Sequence, residues 1–422
     1  MTEEITSSGK VSSRTLYIIS LNHFVNDSST FLIASLFPAM EIAFGFKTYY
    51  IGILVAVGYM INVAFQPLTG MASQRFDPGK LLPLGISIMA VSMVLFAISG
   101  TFAMMMVSVI IMRIGSSFFH PVGATAISRT YSGNQLDSSM GIESAFGNLG
   151  MVFSFMLSAP LYLILGWTGP FLIYAALEFL TVIFTLFTLS RDSLVRERGK
   201  KTNVDEVNLP EIRSISRKTW KSGKKRNYFL YIPVFFVVTA FITGATNTVF
   251  GNFGNLLLFH RGLSISLSND LIAIWVVFAF FGALVTGRLT VMMSRMKLLI
   301  LSYIVSGMSC LSFALFSGNI LPSTISLALN GFFLGIVYPA TYSELGDLSS
   351  RLGSSGSSFG ILFSSQLIGS SIFGYLGGYF SYTYGLASVF ELTSFLLILS
   401  VGIVSIWSYR FRPTFLGTAM VK

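Results

Sequence analysis

Two ionisable side chains of opposite charge stand in otherwise apolar stretches of this 422-residue chain. Arg113 opens the stretch RIGSSFFHPVGATAISRTY, and Asp27 lies in NHFVNDSS. Charges are costly in apolar surroundings and usually face a cavity or a partner. Arg113 is therefore either a solute-binding residue or a structural residue, held in an ion pair or by hydrogen bonds to the backbone. A carboxylate beside an arginine can be gated by protonation, which favours a functional role for Asp27.

Two histidines accompany these charges. His23 and Asp27 are four residues apart and share one helical face, and His120 follows Arg113 by two helical turns. Imidazoles titrate near neutral pH and can relay protons, so His23 is predicted to couple protons with Asp27. His120 is either a substrate-binding residue or a group that satisfies carbonyls freed by Pro121. No metal site is predicted, because neither histidine has a third ligand nearby in sequence.

Other polar residues extend the predicted site. Glu143 is either an inner proton acceptor or a rim residue paired with Arg129 or Arg75. Amides and phenols can orient a solute without strong charge. At least one of Asn247 and Asn255 is expected only to join helices. The predicted substrate-binding set is Asp27, Arg113, His120, Asn247, Tyr338, Tyr342 and Gln366.

The elements that position these residues are apolar helices. Hydrophobic residues make up 53% of the chain and charged residues 10%, whereas soluble domains carry about 25% charged residues. Continuous apolar runs predict membrane-spanning helices. We predict an all-α membrane protein with twelve transmembrane helices, at roughly 15–39, 48–73, 81–99, 102–130, 137–165, 169–190, 228–256, 269–293, 297–317, 320–346, 355–381 and 386–409.

The basic residues predict the orientation of these helices. Twelve of the 27 lysines and arginines lie within 191–226, and the net charge is +10. This clustering is typical of cytoplasmic loops rather than of a nucleic-acid interface. With both termini in the cytoplasm, the external loops hold only Lys47 and Arg261. The predicted organisation is a six-helix half at 1–190, a basic linker at 191–226 and a second six-helix half at 227–422, in the cell membrane.

Matching stretches predict that the two halves are a parallel duplication. TGMASQRFDPGKLLPL begins at Thr69, and TGRLTVMMSRMKLLIL begins at Thr286. The separation of Lys80 from Lys297 is nearly the same as that of Pro121 from Pro339. Halves related in this way are typical of secondary transporters that rock about a central site. In this repeat Tyr338 corresponds to His120.

The whole chain resembles the major facilitator superfamily. GMASQRFDPGK resembles its signature loop, Gly-x-x-x-Asp-Arg-x-Gly-Arg/Lys, with Gln74 in place of the aspartate. NHFVNDSS and GSSFFHP are similar to the fosmidomycin-resistance group, whereas GNLGMVFSF matches the antiporter motif only in its first glycines. The resemblance implies that spans 1, 4, 7 and 10 line a cavity and that spans 2, 5, 8 and 11 form a moving seam.

A gate is expected at the cytoplasmic ends of that seam. Because Gln74 replaces the usual aspartate, Asp77 is predicted to latch onto the start of span 11, near Gly353 to Ser358. Alternatively, Asp77 only shapes its turn. The predicted gating residues are Gly70, Arg75, Asp77, Gly79, Lys80, Arg129, Arg295 and Asp347.

These features favour a proton-coupled secondary transporter that works by alternating access and exports a small organic compound. The alternatives are a proton symporter that imports a small organic anion, and a non-transporting receptor or lipid-moving protein of the same fold. An enzyme is not expected, because scattered histidines and a single cysteine offer no nucleophile with its base. The expected partners are a small-molecule substrate, protons and the bilayer, with a monomeric chain and no cofactor.

Overall fold

Every regular element of the described chain is a helix. The computed structural model describes residues 2–130, 133–189, 228–352 and 355–411, and the predicted linker 191–226 lies outside these ranges. The helices are α1 Thr2–Ser35, α2 Phe37–Phe44, α3 Thr48–Arg75, α4 Pro78–Ala97, α5 Phe102–Ser116, α6 Phe119–Thr130, α7 Gly133–Leu165, α8 Thr168–Leu189, α9 Tyr228–His260, α10 Ile265–Met292, α11 Arg295–Phe316, α12 Ile320–Leu352, α13 Ser355–Tyr384 and α14 Ala387–Ile406, which a π-helical turn follows at Trp407–Phe411.

Ten helical stretches of the described chain are long and apolar enough to cross a membrane. Each agrees with a predicted span to within several residues. The two remaining predicted spans correspond to α1 with α2 and to α13. Both are helical, but α1 carries a run of polar side chains and α13 is dense in glycine and serine. The all-helical membrane class is therefore confirmed, whereas the number of twelve spans stays a prediction.

The helices of the first half pack in a pattern that the second half repeats. In the first half α1 packs against α7, α3 against α5, and α4 against both α5 and α8. In the second half α9 packs against α13, α10 against α12, and α11 against both α12 and α14. These are the same pairs in corresponding order, as the predicted repeat of the two halves requires. The halves meet where α3 contacts α13 and where α7 contacts α10.

Four glycines with left-handed backbone conformation carry the same repeat. Gly45 and Gly262, at matching positions in the two halves, have φ of 64° and 95°. Gly166 and Gly385 form a second matching pair, with φ of 69° and 88°. This conformation strains every residue with a Cβ, so glycine is the residue that can end these helices there. The turns that follow the helices were thus duplicated together with the helices.

Glycines bring α3 and α13 into direct backbone contact. A Cβ on Gly52 would lie 2.5 Å from the Cα of Gly378, closer than real Cβ atoms approach. Nearby, the Ser371 hydroxyl donates a hydrogen bond of 2.9 Å to the Ala56 carbonyl. Because glycine has no side chain, the seam between α3 and α13 can close at this end of the bundle. This end also contains α2, and we call it the Glu41 end.

Two asparagines also join the halves at the Glu41 end. The Asn255 amide on α9 donates to the Ala34 carbonyl at 2.9 Å and to Asn269 Oδ1 at 3.0 Å. The Asn269 amide on α10 donates to the Ser35 carbonyl at 3.0 Å and to Ser158 Oγ at 3.1 Å. Asn255 thus joins helices, as expected of at least one of Asn247 and Asn255. Because all these groups are buried, the bonds favour the closed arrangement.

An ion pair also links α2 to the end of α9. His260 Nε2 lies 2.5 Å from Glu41 Oε2, and the Thr48 hydroxyl donates to Glu41 Oε1 at 2.8 Å. Lys47 extends the same rim by a 3.4 Å hydrogen bond to Tyr382 of α13. Between described residues, the hydrogen bonds and ion pairs that join the two halves lie toward the Glu41 end of the bundle.

The predicted fourth span is broken into α5 and α6. Pro121 cannot donate to the carbonyl four residues earlier, which belongs to Ser117. That carbonyl instead accepts a 2.8 Å hydrogen bond from the Thr69 hydroxyl of α3. The interpretation that His120 satisfies the freed carbonyl is therefore wrong for Ser117, because a neighbouring helix performs that role.

Asp77 is the N-cap of α4. Its Oδ1 accepts a 3.0 Å hydrogen bond from the Gly79 amide, and Pro78 occupies the first position of the helix. This geometry supports the interpretation that Asp77 shapes its turn. The proposed latch partner includes Gly353 and Ser354, which lie outside the described residues, and nothing is described of the side chains up to Ser358.

The N-cap geometry leads to a first prediction. Asp77→Ala should lower the free energy of unfolding by about 1 kcal/mol, because it removes the cap. Asp77→Asn keeps a capping oxygen and should leave stability nearly unchanged. Chemical denaturation of the purified variants measures both effects. An Asp77→Asn variant as unstable as Asp77→Ala would show that the negative charge, rather than the cap, matters at this position.

Candidate functional site

The imidazole of His23 lies between two carboxylates in the interior of the first half. Its Nδ1 is 2.8 Å from Glu143 Oε1, and its Nε2 is 3.2 Å from Asp27 Oδ2. The Asn26 amide donates to Asp27 Oδ1 at 2.9 Å, and the Ser144 hydroxyl donates to Glu143 Oε2 at 3.2 Å. His23, Asp27 and Glu143, three residues of the predicted proton-coupling set, are thus in direct contact.

Glycine and phenylalanine hold His23 in this position. A Cβ on Gly147 of α7 would lie 2.5 Å from His23 Nε2, so the imidazole occupies space that only glycine leaves open. Gly150 lies directly against the backbone of Phe24 in the same way. The Phe119 ring stacks on the imidazole with centroids 4.5 Å apart. The first glycines of GNLGMVFSF therefore serve the packing of α7 against α1.

Glu143 faces inward rather than toward the rim. Its side chain is buried against His23, and its own carbonyl also lies 2.9 Å from His23 Nδ1. This contact favours the inner proton acceptor over the rim alternative. The side chains of Arg75 and Arg129, the partners in that alternative, lie outside the described residues.

His120 adds a fourth titratable group to the cluster. Its ring meets the His23 ring edge-on, with centroids 5.2 Å apart. One ligand atom from each of His23, Asp27 and His120 lies within 4.8 Å of the others. The fold therefore brings together three possible metal ligands, although the sequence shows no third ligand near either histidine. However, both His23 nitrogens face a carboxylate, an arrangement that suits two N–H donors better than a metal-binding lone pair. The cluster thus holds four titratable side chains close together.

Arg113 and Asp27 do not form a direct ion pair. Asp27 contacts His23, and among the described residues no carboxylate lies within 4.0 Å of the Arg113 nitrogens. The reason is local geometry. Asp27 and His23 share a face of α1, whereas Arg113 lies on α5 with its guanidinium carbon 4.6 Å from the centre of the Tyr59 ring. The two charges are therefore not in direct contact.

Arg113 lines a small cavity between the two halves. The cavity has room for about one water molecule, and its walls come from α1, α2, α3 and α5 of the first half and from Asn252 of the second. Arg113 is 8% exposed, and its Nε has no hydrogen-bond partner. The Thr30 hydroxyl, in the same wall, is likewise buried without a partner. The cavity is thus lined by two polar side chains, each with one buried atom that has no hydrogen-bond partner.

The predicted binding residues of the second half also form a cluster. The Tyr342 hydroxyl donates to Gln366 Oε1 at 3.2 Å, and the Tyr338 and Tyr342 rings lie 6.1 Å apart. The three residues line one small cavity, and the Tyr338 hydroxyl is buried without a partner. Asn247 is half-buried on α9 and is absent from the residues lining either cavity.

The predicted gating residues have mixed positions. Arg295 of α11 donates to Glu344 of α12 at 2.9 Å, a contact within the second half. Gly70 is half-buried on α3, whereas Lys80 is exposed at the start of α4. A Cβ on Gly70 would meet only an ordinary contact with Pro121, so no close approach requires this glycine. The side chain of Asp347 lies outside the described residues.

Several residues of the sites escaped the sequence analysis. Tyr59 and Thr30 look like ordinary members of apolar helices, because their roles depend on contacts between helices. Glu41 and His260 lie beside the two external loops, of which only the lysine and arginine residues entered the prediction of orientation. The matching positions of Gly45 and Gly262, in the turns next to this pair, could have drawn attention to them.

Comparison with known proteins identifies relatives over parts of the chain. Residues 19–343 match the sequence model of the Major Facilitator Superfamily. The chain is 27% identical to the fosmidomycin resistance protein of Escherichia coli (strain K12) over 36% of its length and 38% of the relative. It is 31% identical to the chromaffin granule amine transporter of Rattus norvegicus over 31% of its length and 25% of the relative. The aligned region thus spans less than half of these curated relatives.

Solved structures resemble the chain over nearly its full length. A POT family transporter in complex with 5-aminolevulinic acid has a TM-score of 0.73 at 15% identity, covering 95% of this chain and 96% of that one. A bacterial homolog of the human lysosomal transporter Spinster, in an inward-facing and occupied conformation, has a TM-score of 0.71 at 14% identity, covering 94% and 97%. At such identities the likeness shows the fold alone.

Proposed function

Because the chain belongs to the Major Facilitator Superfamily, we propose that it is a proton-coupled secondary active transporter that works by alternating access and exports a small organic compound. Its family and fold are those of transporters with many membrane-spanning helices. Proton coupling, direction and substrate class are our inference from the residues described above.

The contact of His23 with Asp27 and Glu143 carries this proposal. An imidazolium between two carboxylates leaves one negative charge in excess, and one further proton would neutralise the group. Inside a membrane protein such a difference in charge is energetically large. Loading or releasing a proton at this cluster can therefore change which arrangement of the halves is favoured.

The location of the cluster suits that role. His23 and Asp27 lie on α1, Glu143 lies on α7, and His120 follows the break between α5 and α6. Asp27 is 17% exposed and His120 is exposed, so the group is partly open to the surface of the helix bundle. A proton could thus enter without opening the bundle, while any shift of α1 against α7 would alter the distances within the cluster.

The charge distribution bears on the orientation of the chain, and the relatives bear on the solutes to test. The basic loops favour cytoplasmic termini, so in this proposal the Glu41 end faces outward. The fosmidomycin resistance protein and the amine transporter suggest solutes to test, namely fosmidomycin and an organic amine. Import of an organic anion by symport uses the same residues and the same proton gradient, and it differs in the direction in which the solute moves relative to the proton.

Purified protein in liposomes tests the proposal. Fosmidomycin and phenylethylamine are supplied separately, and lumenal pH and solute uptake are recorded. Antiport requires uptake when the lumen is acid, whereas symport requires it when the outside is acid. Protein-free liposomes provide the control. Uptake at the same rate under either gradient would contradict proton coupling, and binding without uptake would indicate a receptor.

A further inference from the structure

We propose that the transported solute carries an anionic group, and that this group binds Arg113 and Thr30 in the cavity between the halves. The inference rests on the proposed transport function and extends it to a class of substrate. It is independent of the direction of transport.

The first argument is the unpaired charge of Arg113. The side chain lies in the middle of the apolar stretch Phe102–Ala124, and it is more than nine-tenths buried. A buried cation without a partner is strongly destabilising, so proteins normally pair or hydrogen-bond it. Here its Nε has no hydrogen-bond partner, and among the described residues no carboxylate lies within ion-pair distance. An anionic ligand is the partner that this arrangement lacks.

The second argument is that the surroundings keep the guanidinium in place without neutralising it. The Tyr59 ring lies under it at 4.6 Å, a cation–π contact that orients the group but supplies no full negative charge. A Cβ on Gly58 would lie 3.1 Å from Arg113 Nε, so the glycine leaves room for the side chain. The planar guanidinium is thus held ready for the two oxygens of a carboxylate, phosphate or phosphonate.

The third argument is the composition of the cavity wall. The Thr30 hydroxyl is a second buried group without a partner, and it can donate to an anion oxygen. Asn252 contributes a wall from the second half, whereas Arg113 and Thr30 belong to the first. A ligand bound there would touch both halves, as alternating access requires.

The charge of this cavity disfavours a cationic solute. Its lining includes Arg113 and no acidic residue. An amine bound there would be repelled by the guanidinium, with little water to screen the charges. Asp27, which could have attracted an amine, is already in contact with His23.

The test uses purified full-length protein in detergent and four probes of similar size: benzoate, phenylphosphonate, benzylamine and benzyl alcohol. Binding is measured by calorimetry and by the shift of the unfolding temperature, because a ligand that binds the folded state stabilises it. No pH gradient is present, so failure of this inference is distinct from failure of proton coupling. A short-chain anionic phospholipid is measured in parallel.

Benzoate or phenylphosphonate should stabilise the wild-type protein, whereas benzylamine and benzyl alcohol should not. Arg113→Gln should weaken anion binding by about tenfold or more, and Thr30→Val by about threefold to tenfold, as expected for lost hydrogen bonds to a charged group. The exposed Arg261→Gln changes net charge equally and should bind as wild type. Without ligand, Arg113→Gln should unfold at the same or a higher temperature, because it removes an unpaired buried charge.

Three outcomes would overturn the inference. The first is equal stabilisation by benzylamine, and the second is anion binding that survives in Arg113→Gln. The third is stronger stabilisation by the phospholipid than by either soluble anion, which would assign the cavity to lipid. A marked loss of stability in ligand-free Arg113→Gln would make the arginine structural and would also contradict the proposal.

Discussion

Replacing Asp27 with asparagine should abolish solute accumulation driven by a pH gradient while exchange of solute across the membrane continues. A gradient of one pH unit supplies about 1.4 kcal/mol per proton, enough to concentrate a solute about tenfold. In Asp27→Asn that accumulation ratio should fall to about one. The transport pathway itself stays intact, because the amide has nearly the shape of the carboxylate.

The physical reason is the charge balance around His23. The wild-type imidazolium has carboxylates at 2.8 and 3.2 Å, which leaves one negative charge for an incoming proton. Asparagine removes that charge, so the imidazolium and Glu143 already balance each other. The cluster then has no excess charge whose neutralisation could favour one arrangement of the halves.

Uptake and counterflow in liposomes measure the two activities separately. Glu391→Gln is the matched control, because that carboxylate is exposed on α14 and its loss leaves the cluster unchanged. An Asp27→Asn protein that still accumulates solute as strongly as wild type would remove Asp27 from the coupling mechanism. Loss of exchange as well would indicate that Asp27 acts mainly in the pathway or the fold.

Replacing Gly378 with valine should prevent the halves from closing at the Glu41 end. A Cβ at this position would lie 2.7 Å from the Cα of Gly52, where no flexible side chain can yield. Such overpacking costs about 1–3 kcal/mol, which changes the ratio of two conformations by about 5- to 150-fold. Because the closed state is one half of the cycle, transport should fall by a similar factor.

Distances between spin labels on the two halves at the Glu41 end measure this shift directly. We expect the distribution for Gly378→Val to move to longer distances, together with the fall in transport. Gly402→Val is the control, because a Cβ there meets no atom within 4 Å. Unchanged distances in a well-folded Gly378→Val protein would show that α3 and α13 do not form the seam in this way.

The architecture could be predicted because its signals are local or periodic. Apolar runs predict helices, and the spacing of Lys80 from Lys297 and of Pro121 from Pro339 predicts a duplication. The contact of His23 with Asp27 is also local, since four residues span about one helical turn. These features can be recognised in the sequence without knowing how the helices pack against one another.

The pairing of charges across helices was not predictable in the same way. Arg113 and Asp27 were expected to attract each other because both lie deep in apolar spans. However, depth does not specify the direction in which a side chain points. His23 contacts Glu143 because Gly147 and Gly150 let α7 approach α1. The backbone distance between two helices cannot be predicted from the sequence of either helix alone. Thr30 and Tyr59 were missed for the same reason.

The hydrogen bond from Thr69 to the Ser117 carbonyl gives α3 a mechanical role. Gly52, near one end of this helix, contacts Gly378 across the seam, and Thr69 lies about 26 Å further along at the rise of an α-helix. Thr69 holds the joint between α5, which carries Arg113, and α6, whose Phe119 stacks on His23. When the contact of α3 with α13 opens, α3 would act as a lever and tilt the joint between α5 and α6. The cavity at Arg113 and the cluster around His23 would therefore move together.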